Sequence, residues 1–349
     1  MSGVRIALDA FGGDDHPGPE IEGALQAARA GVNVTLVGDR RRIELELAKH
    51  SAPSDLPISI HHASEVIGMD DSPSRAVREK KDASMPVCFD LVKAGEADAM
   101  MSAGNSGAML ACGLFKYRRI KGVDRPAIVT SLPTRKGWVC VLDVGANVDC
   151  KPINFVQFAI LGAAYARFKH ELDRVPTVGI LSNGGESSKG TDLTRASDRL
   201  LRAHGGGDDF EYRGYVEGHG VFAGDVDVVV TDGFTGNVAL KIAESTGRLI
   251  GSWIKEAIGS SAMNKMGALL MRGALGRLKT MLDPDTYGAA PLLGVGGLAF
   301  VCHGKASGFA IGRAIELAAR SVEADFMPGL QAALARHDAL VVAAKETKE

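Results

Sequence analysis

The chain has 349 residues, a formal charge of −2 and 46% hydrophobic residues. That length accommodates one large α/β unit or about two domains with a core that needs no covalent staples. The near-neutral charge provides no overall field for nucleic acid, so an acidic partner must be met by a local basic patch. The five cysteines form no C-x-x-C pair, which excludes the usual zinc and redox spacings. The first residues, MSGVR, run into a strand without the apolar core of a signal peptide. The longest apolar run, residues 291–302, falls short of the roughly 20 residues of a membrane span. A cytoplasmic protein is expected, with any membrane contact peripheral.

In chain order, residues 4–9 read as a strand ending in the turn AFGGDD, and Pro17 and Pro19 open a helix through Ala30. Residues 32–37 form the next strand. This strand–helix–strand spacing predicts a parallel sheet. The pattern recurs: a strand at 58–61, a helix at 73–81, a buried strand at 97–102 and a helix through Leu114. Residues 127–132 and 138–143 read as neighbouring strands around a hairpin turn at 133–137. An apolar helix at 154–170, a strand at 177–181 and a helix at 191–204 follow, with Gly205-Gly206-Gly207 as a surface turn. The strand at 226–231 is apolar throughout, as in a parallel sheet buried on both faces. Helices are expected at 237–258, 311–324 and 330–347. No repeat or linker is visible, so the expectation is a single unit over residues 1–349, with two lobes of soft boundary left open.

Several strands end in loops that join glycine to small polar or acidic residues. In open α/β sheets, ligands sit beyond the carboxyl ends of strands, and helix N-termini offer N–H groups to anions. Five such loops stand out. Their candidate binding residues are Asp9, Gly12 and Gly13; then Gly104, Asn105 and Ser106; then Asp143 and Asn147; then Glu186 and Lys189; and finally Asp232, Thr235, Gly236 and Asn237. Together they predict an extended polar cleft. His303 ends the apolar strand 298–302 and is suited to proton transfer near neutral pH, and Lys305 follows it. No G-x-G-x-x-G follows the first strand. In residues 185–191 the lysine precedes the second glycine instead of following it, so this is not a P-loop. H-E-x-x-H, EF-hand and G-x-S-x-G patterns are also missing.

Residues 248–279 carry Arg248, Lys255, Lys265, Arg272, Arg277 and Lys279 against one acid, Glu256. Methionines and leucines recur among them at helical spacing, which predicts an amphipathic basic segment. Glycines at 259, 267, 273 and 276 suggest a broken helical hairpin. It either packs on its own protein or a twin subunit, or docks an acidic partner or anionic membrane.

The stretches DAFGGD, MSAGNSGAML, LDVGANVDC, VVVTDGFTGNVALK, YGAAPLLGVGG and the His303-Gly304 pair resemble the signature segments of the PlsX family, the acyl-ACP:phosphate acyltransferases. The resemblance runs in order over residues 8–320. It implies transfer of an acyl group from acyl-acyl-carrier-protein to inorganic phosphate. The acyl phosphate product feeds glycerol-3-phosphate acyltransferase in phospholipid synthesis. The resemblance also implies a doubly wound, Rossmann-like αβα sandwich of the isocitrate/isopropylmalate dehydrogenase kind. A homodimer with peripheral membrane contact and no metal or nucleotide cofactor is further implied. Two positions depart from the family pattern: Phe11 replaces a methionine, and the loop at 185–190 has hydroxyls at 187 and 188 where acids are usual.

For such a reaction, chemistry assigns phosphate to the loops at 104–106 and 233–237, through N–H groups and side chains. Lys189 and Lys305 balance its charge, Asn105 acts with Lys189 on the substrate, and His303 delivers a proton or binds the oxyanion. The nearest rival is a phosphotransacetylase-like enzyme using acetyl-CoA. A non-catalytic membrane scaffold would explain only the 248–279 segment.

Overall fold

The computed structural model describes residues 3–50, 53, 55–282 and 289–346, with the side chains of Lys279 and Leu282 left out. Tyr287 and Gly288 of the YGAAPLLGVGG segment, Thr347 of the last expected helix and the side chain of Lys279 lie outside the described residues.

One sheet contains β1 (Arg5–Asp9), β2 (Asn33–Gly38), β3 (Ile58–His62), β4 (Ala99–Ser102), β5 (Ala127–Thr134) and β6 (Gly137–Leu142). It continues with β7 (Thr177–Leu181), β8 (Glu211–Val216), β9 (Val228–Val230), β10 (Ala290–Leu293) and β11 (Leu298–Val301). Their spatial order is β3-β2-β1-β4-β11-β10-β5-β6-β9-β7-β8. From β3 to β11 all neighbours are parallel. β10 then pairs antiparallel with both β11 and β5, and β5 pairs antiparallel with β6. From β6 to β8 the neighbours are parallel again. Three reversals turn the second half of the sheet against the first.

The helices of the first half are α1 (Gly18–Arg29), α2 (Arg40–Leu47), α3 (Pro73–Glu79), α4 (Ser84–Lys93) and α5 (Ser106–Cys112). A π-helical turn, Gly113–Tyr117, continues α5. Then come α6 (Pro152–Lys169), α7 (Asp192–His204), α8 (Gly218–Ala223), α9 (Gly233–Gly259), α10 (Ala262–Leu270) and α11 (Arg272–Leu282). The chain closes with α12 (Gly308–Glu323), α13 (Phe326–Arg336) and α14 (Asp338–Glu346).

Alternation along each strand divides the core between two faces. Ile6 and Leu8 of β1 join one cluster with α1, α6 and α12, while Ala7 joins another with α4 and α5. The result is a helix–sheet–helix sandwich, as expected. α6 is apolar on nearly every side because it lies beneath α13 and α14 as well as on the sheet.

The structure adds α2, α4, α8, β8 and β10 to the expected elements. It divides the expected helix at 330–347 into α13 and α14 around His337, and begins α9 four residues early, at Gly233. α9 has 27 residues, of which only Gly233 and Gly236 are buried, and α10 buries none. α9 to α11 fold back on one another and expose Trp253, Met263 (79%), Met266, Leu269, Leu270 (85%) and Met271. Arg248, Lys255, Lys265, Arg272 and Arg277 are exposed on the same module.

His170, at the end of α6, lies 3.2 Å from Ser131 Oγ and 3.5 Å from Cys140 Sγ and stacks on Trp138. Burial, then the neighbouring Lys169, pushes its imidazole down to about 4. The folded state therefore favours neutral His170. That contribution is present above pH 6.5 and is lost as pH falls from 6.5 toward 4. Thermal midpoints should fall through this window, and His170→Phe should flatten the slope there.

Candidate functional site

The five glycine loops do not line one edge. Because the half-sheets oppose each other, the carboxyl ends of β1, β4 and β11 point to one edge and those of β6, β9 and β7 to the other. The single extended cleft expected from sequence resolves into two clusters.

The first cluster is anchored from below. Asp9 is 1% exposed. Its carboxylate accepts the Phe11 N–H at 3.1 Å and the Ser102 hydroxyl at 2.6 Å, and Ser102 Oγ accepts the Gly104 N–H at 3.0 Å. A side chain at Gly12 would begin 2.6 Å from Ser102 Oγ and 2.8 Å from Asp9 Oδ2. Glycine is needed there for close approach. Gly13 donates to Glu20 at 3.1 Å, and Asp14 N–H donates to Gly304 O at 2.7 Å, tying the first loop to the turn after β11.

Asn105 was expected to act on substrate, but its side chain is engaged elsewhere. Oδ1 caps α5 by accepting the Gly107 and Ala108 N–H groups at 3.0 and 3.1 Å. Nδ2 donates to Met69 O at 2.9 Å and Asp71 O at 3.3 Å. Asn105 thus positions the loop at 68–71 against α5. In that first turn the N–H and hydroxyl of exposed Ser106 are left for a ligand. His303 is exposed, and its Nδ1 accepts the Lys305 N–H at 3.2 Å, which leaves Nε2 as the ring nitrogen for a ligand. Among the described residues the Lys305 ammonium has no ion pair.

The second cluster is organised by Asp143, which is 0% exposed. Its oxygens accept five donors: the N–H groups of Ile128 (3.0 Å), Gly145 (3.2 Å), Ala146 (3.0 Å) and Asn147 (2.6 Å), and Asn147 Nδ2 (2.8 Å). Burial pushes this carboxyl up, and the donors from Ala146, Ile128 and Asn147 oppose the rise. Asn147 Nδ2 also reaches Pro126 O at 2.6 Å, and Asn147 O accepts the Gly233 N–H at 2.7 Å. At Gly236 any side chain would strike Asp143 O. Asp9 and Asp143, expected to bind substrate, instead hold the loops on which substrate would rest.

Asp232 caps α9, accepting the Thr235 N–H and hydroxyl at 2.8 Å each. Of the first-turn amides only Phe234 N–H is left for a ligand among the described residues, and a carboxylate already occupies the cap. At both helix starts most first-turn donors are already engaged within the protein, which leaves Ser106 N–H and Phe234 N–H among those expected to meet phosphate. Asn237 lies beside Gly145. Beyond β7, Glu186 and Lys189 are both exposed, and the Lys189 ammonium has no ion pair among the described residues.

Sequence reading missed Arg125. It precedes β5, which starts at the edge where β6 ends, so its exposed guanidinium stands beside the Asn147 loop without an ion pair among the described residues. Only the antiparallel pairing of β5 and β6 places it there. Arg118 was also missed; it adopts φ +62°, rare for a side-chain-bearing residue, where Gly296 N–H meets its carbonyl. Among the described residues no three His, Cys, Asp or Glu side chains gather as a metal site. Asp143→Ala would strip the acceptor from the buried Ile128 and Asn147 amides, from the part-buried Gly145 and Ala146 amides and from one of the two Asn147 Nδ2 bonds, and should cost at least about 3 kcal/mol in denaturant unfolding.

The family profile described as "Fatty acid synthesis protein" matches residues 4–328. The chain is 52% identical to a phosphate acyltransferase of Geobacter sulfurreducens over 316 residues, 90% of either chain. It is 48% identical to one of Anaeromyxobacter sp. (strain Fw109-5) over 336 residues, 96% of this chain and 92% of the relative. In fold it is similar to a phosphotransacetylase from Streptococcus pyogenes (TM-score 0.59, 16% identity, 92% and 94% covered). A similar match is the EutD phosphotransacetylase from Staphylococcus aureus (TM-score 0.57, 17% identity, 92% and 96% covered). With nearly its whole length matched, and with the signature loops placed at the ends of its strands, the chain belongs to the fatty acid synthesis protein family, PlsX.

Proposed function

We propose that this chain is an acyltransferase that moves a fatty acyl group from acyl carrier protein to inorganic phosphate. The observation that carries the reading is the half-identity to phosphate acyltransferases over nine-tenths of the chain. Phosphate is a competent nucleophile at neutral pH. One of its oxygens attacks the thioester carbon, the tetrahedral oxyanion collapses, the C–S bond breaks, and the carrier leaves as a thiolate that takes a proton from solvent. The protein's task is to align the two substrates, an effect of up to roughly 7–11 kcal/mol in ideal cases, and to stabilise the oxyanion.

Charge favours the second cluster for phosphate. Asp9, Asp14, Asp15, Glu22 and Asp70 lie on the first cluster's loops and on α1, a poor place for a dianion. On loops at the second edge, Arg125 and Lys189 are cations without an ion pair among the described residues, and Phe234 N–H and Thr235 add a polar rim. Phe234, Val238 and Ile242 extend from it along α9 as an exposed apolar stripe that suits an acyl chain. His303, Lys305 and Ser106 then serve the donor's polar arm. The α9–α11 module supports a homodimer in the cytoplasm that touches the membrane peripherally, where glycerol-3-phosphate acyltransferase would take the product. No helix among the described residues is long and apolar enough to cross a membrane.

Purified protein with palmitoyl-carrier protein and phosphate should form acyl phosphate faster than with palmitoyl-CoA or acetyl-CoA. Preference for acetyl-CoA would favour the phosphotransacetylase alternative, and no product from any donor would sink the reading. Lys189→Ala and Arg125→Ala should each raise the KM for phosphate about tenfold, the loss of one charged hydrogen bond. Leu270→Glu should abolish cosedimentation with anionic vesicles while acyl transfer from carrier protein in solution persists.

A further inference from the structure

Two carboxyl groups lie buried on either side of the first glycine loop, and they are not equivalent. Asp9 receives the Ser102 hydroxyl and Phe11 N–H, and the Ser84 hydroxyl adds a third donor. Glu20 is also 1% exposed, yet its Oε1 accepts the Gly13 N–H while its Oε2 is buried with no hydrogen-bond partner. A side chain at Gly13 would begin 2.5 Å from Glu20 Oε1, so the loop rests directly on this carboxyl.

Two unpaired negative charges under one loop are expensive, and the carboxyl with more donors ionises first. The charged groups around Glu20 do not relieve it. Its own loop brings Asp14, Asp15 and His16, and α1 adds Glu22. From α2 come Glu46 and Arg42, whose guanidinium sits 4.5 Å from the centroid of the Phe11 ring. The end of β3 carries His61 and His62, and the α12 side contributes His303, Lys305 and Arg313. None of them ion-pairs with Glu20 among the described residues.

We infer that Glu20 is a positioning residue that works as a proton-held latch: protonated, its carboxyl can stay buried with Oε2 unpartnered and the Gly12–Gly13 loop closes over it against the turn at Gly304, whereas the charged carboxylate, although it accepts the Gly13 N–H more strongly, must reach water and so unseats the loop and the donor-binding cluster it completes. Burial first, and then Asp9, pushes the Glu20 carboxyl up to about 7, which puts the transition near neutrality. In this state Glu20 contributes stability below pH 4.5 that is lost as pH rises from 4.5 through about 7.

Glu20→Gln keeps the shape and fixes the neutral form. The latch rests on the proposed acyl transfer only for its kinetic readout, so two measurements separate the ideas. The first compares variant and wild-type thermal midpoints from pH 5 to 8. The difference should grow in the variant's favour as pH rises, whatever the protein catalyses. The second is the ratio of variant to wild-type kcat/KM for the acyl donor at saturating phosphate. It should rise about tenfold between pH 6 and 8, since each pH unit above the transition removes tenfold of the protonated form, while the ratio of their KM values for phosphate stays level. Parallel midpoint curves together with a flat kcat/KM ratio would overturn the latch. Absence of acyl phosphate from both proteins, with diverging midpoint curves, would overturn the reaction and leave the latch standing.

Discussion

Everything about the site depends on three successive antiparallel pairings, of β11 with β10, β10 with β5 and β5 with β6. A doubly wound sheet with all strands parallel gathers its loops along one edge. Here β10 and β5 turn the second half of the sheet around. The chain thereby acquires two carboxyl edges, each with its own buried aspartate, capped helix and exposed basic residue. Asp9, Asn105 and Lys305 stand at one edge; Asp143, Asp232 and Lys189 stand at the other. The same reversal brings Arg125 to the second edge, because β5 begins where β6 ends.

Both edges follow one physical rule: polar atoms near the backbone are spent on backbone. Asp143 collects five donors, Asn105 collects two and gives two or more, and Asp232 caps its own helix. Buried amides must find partners, and side chains from the same loop are the nearest source. What remains for a ligand is a sparse set of exposed cations and single amides. A dianion would then be held chiefly by Arg and Lys, whose charge survives any rearrangement of the loop. This separates the residues that build the site from those that could touch a substrate, although all of them share the same glycine-rich segments.

Much of the fold was legible in the sequence because its signals are local. Apolar strands such as residues 226–231 and the apolar helix at 154–170 announce themselves by composition. The elements that were missed have mixed character. α2 reads RRRIELEL and buries only Ile43, β8 reads EYRGYV at the sheet's edge, and α4 carries Pro86 in its first turn, where proline is tolerated. The site was legible as loops and not as an arrangement. Strand direction depends on pairings distant in sequence, so nothing in LDVGANVDC or DRPAIV says that they meet. Nor does NSG reveal that the asparagine is a cap, since a cap and a ligand-binding amide call for the same residue. Glu20 is a first-turn acid of α1 like those of many helices, and its burial beneath Gly13 sets it apart.

The module formed by α9 to α11 raises a different constraint. α9 alone is about 40 Å long, and among the described residues only two glycines at its base are fully buried, with Leu240 partly packed on the core. Isolated helices are marginal in water, and most helical stability comes from burying an apolar face. Contacts among α9, α10 and α11 leave Trp253, Met266, Leu269 and Leu270 exposed, so this module is unfinished as it stands in one chain. Its basic residues suit the anionic membrane contact proposed for it, and its methionines suit an adaptable surface. The stripe Phe234, Val238 and Ile242 runs from the second cluster into that module, so whatever covers the helices also bounds the path an acyl chain would take. Covering the apolar surface and shielding the acyl chain from water are then one requirement, met by one helix that starts at the proposed phosphate site.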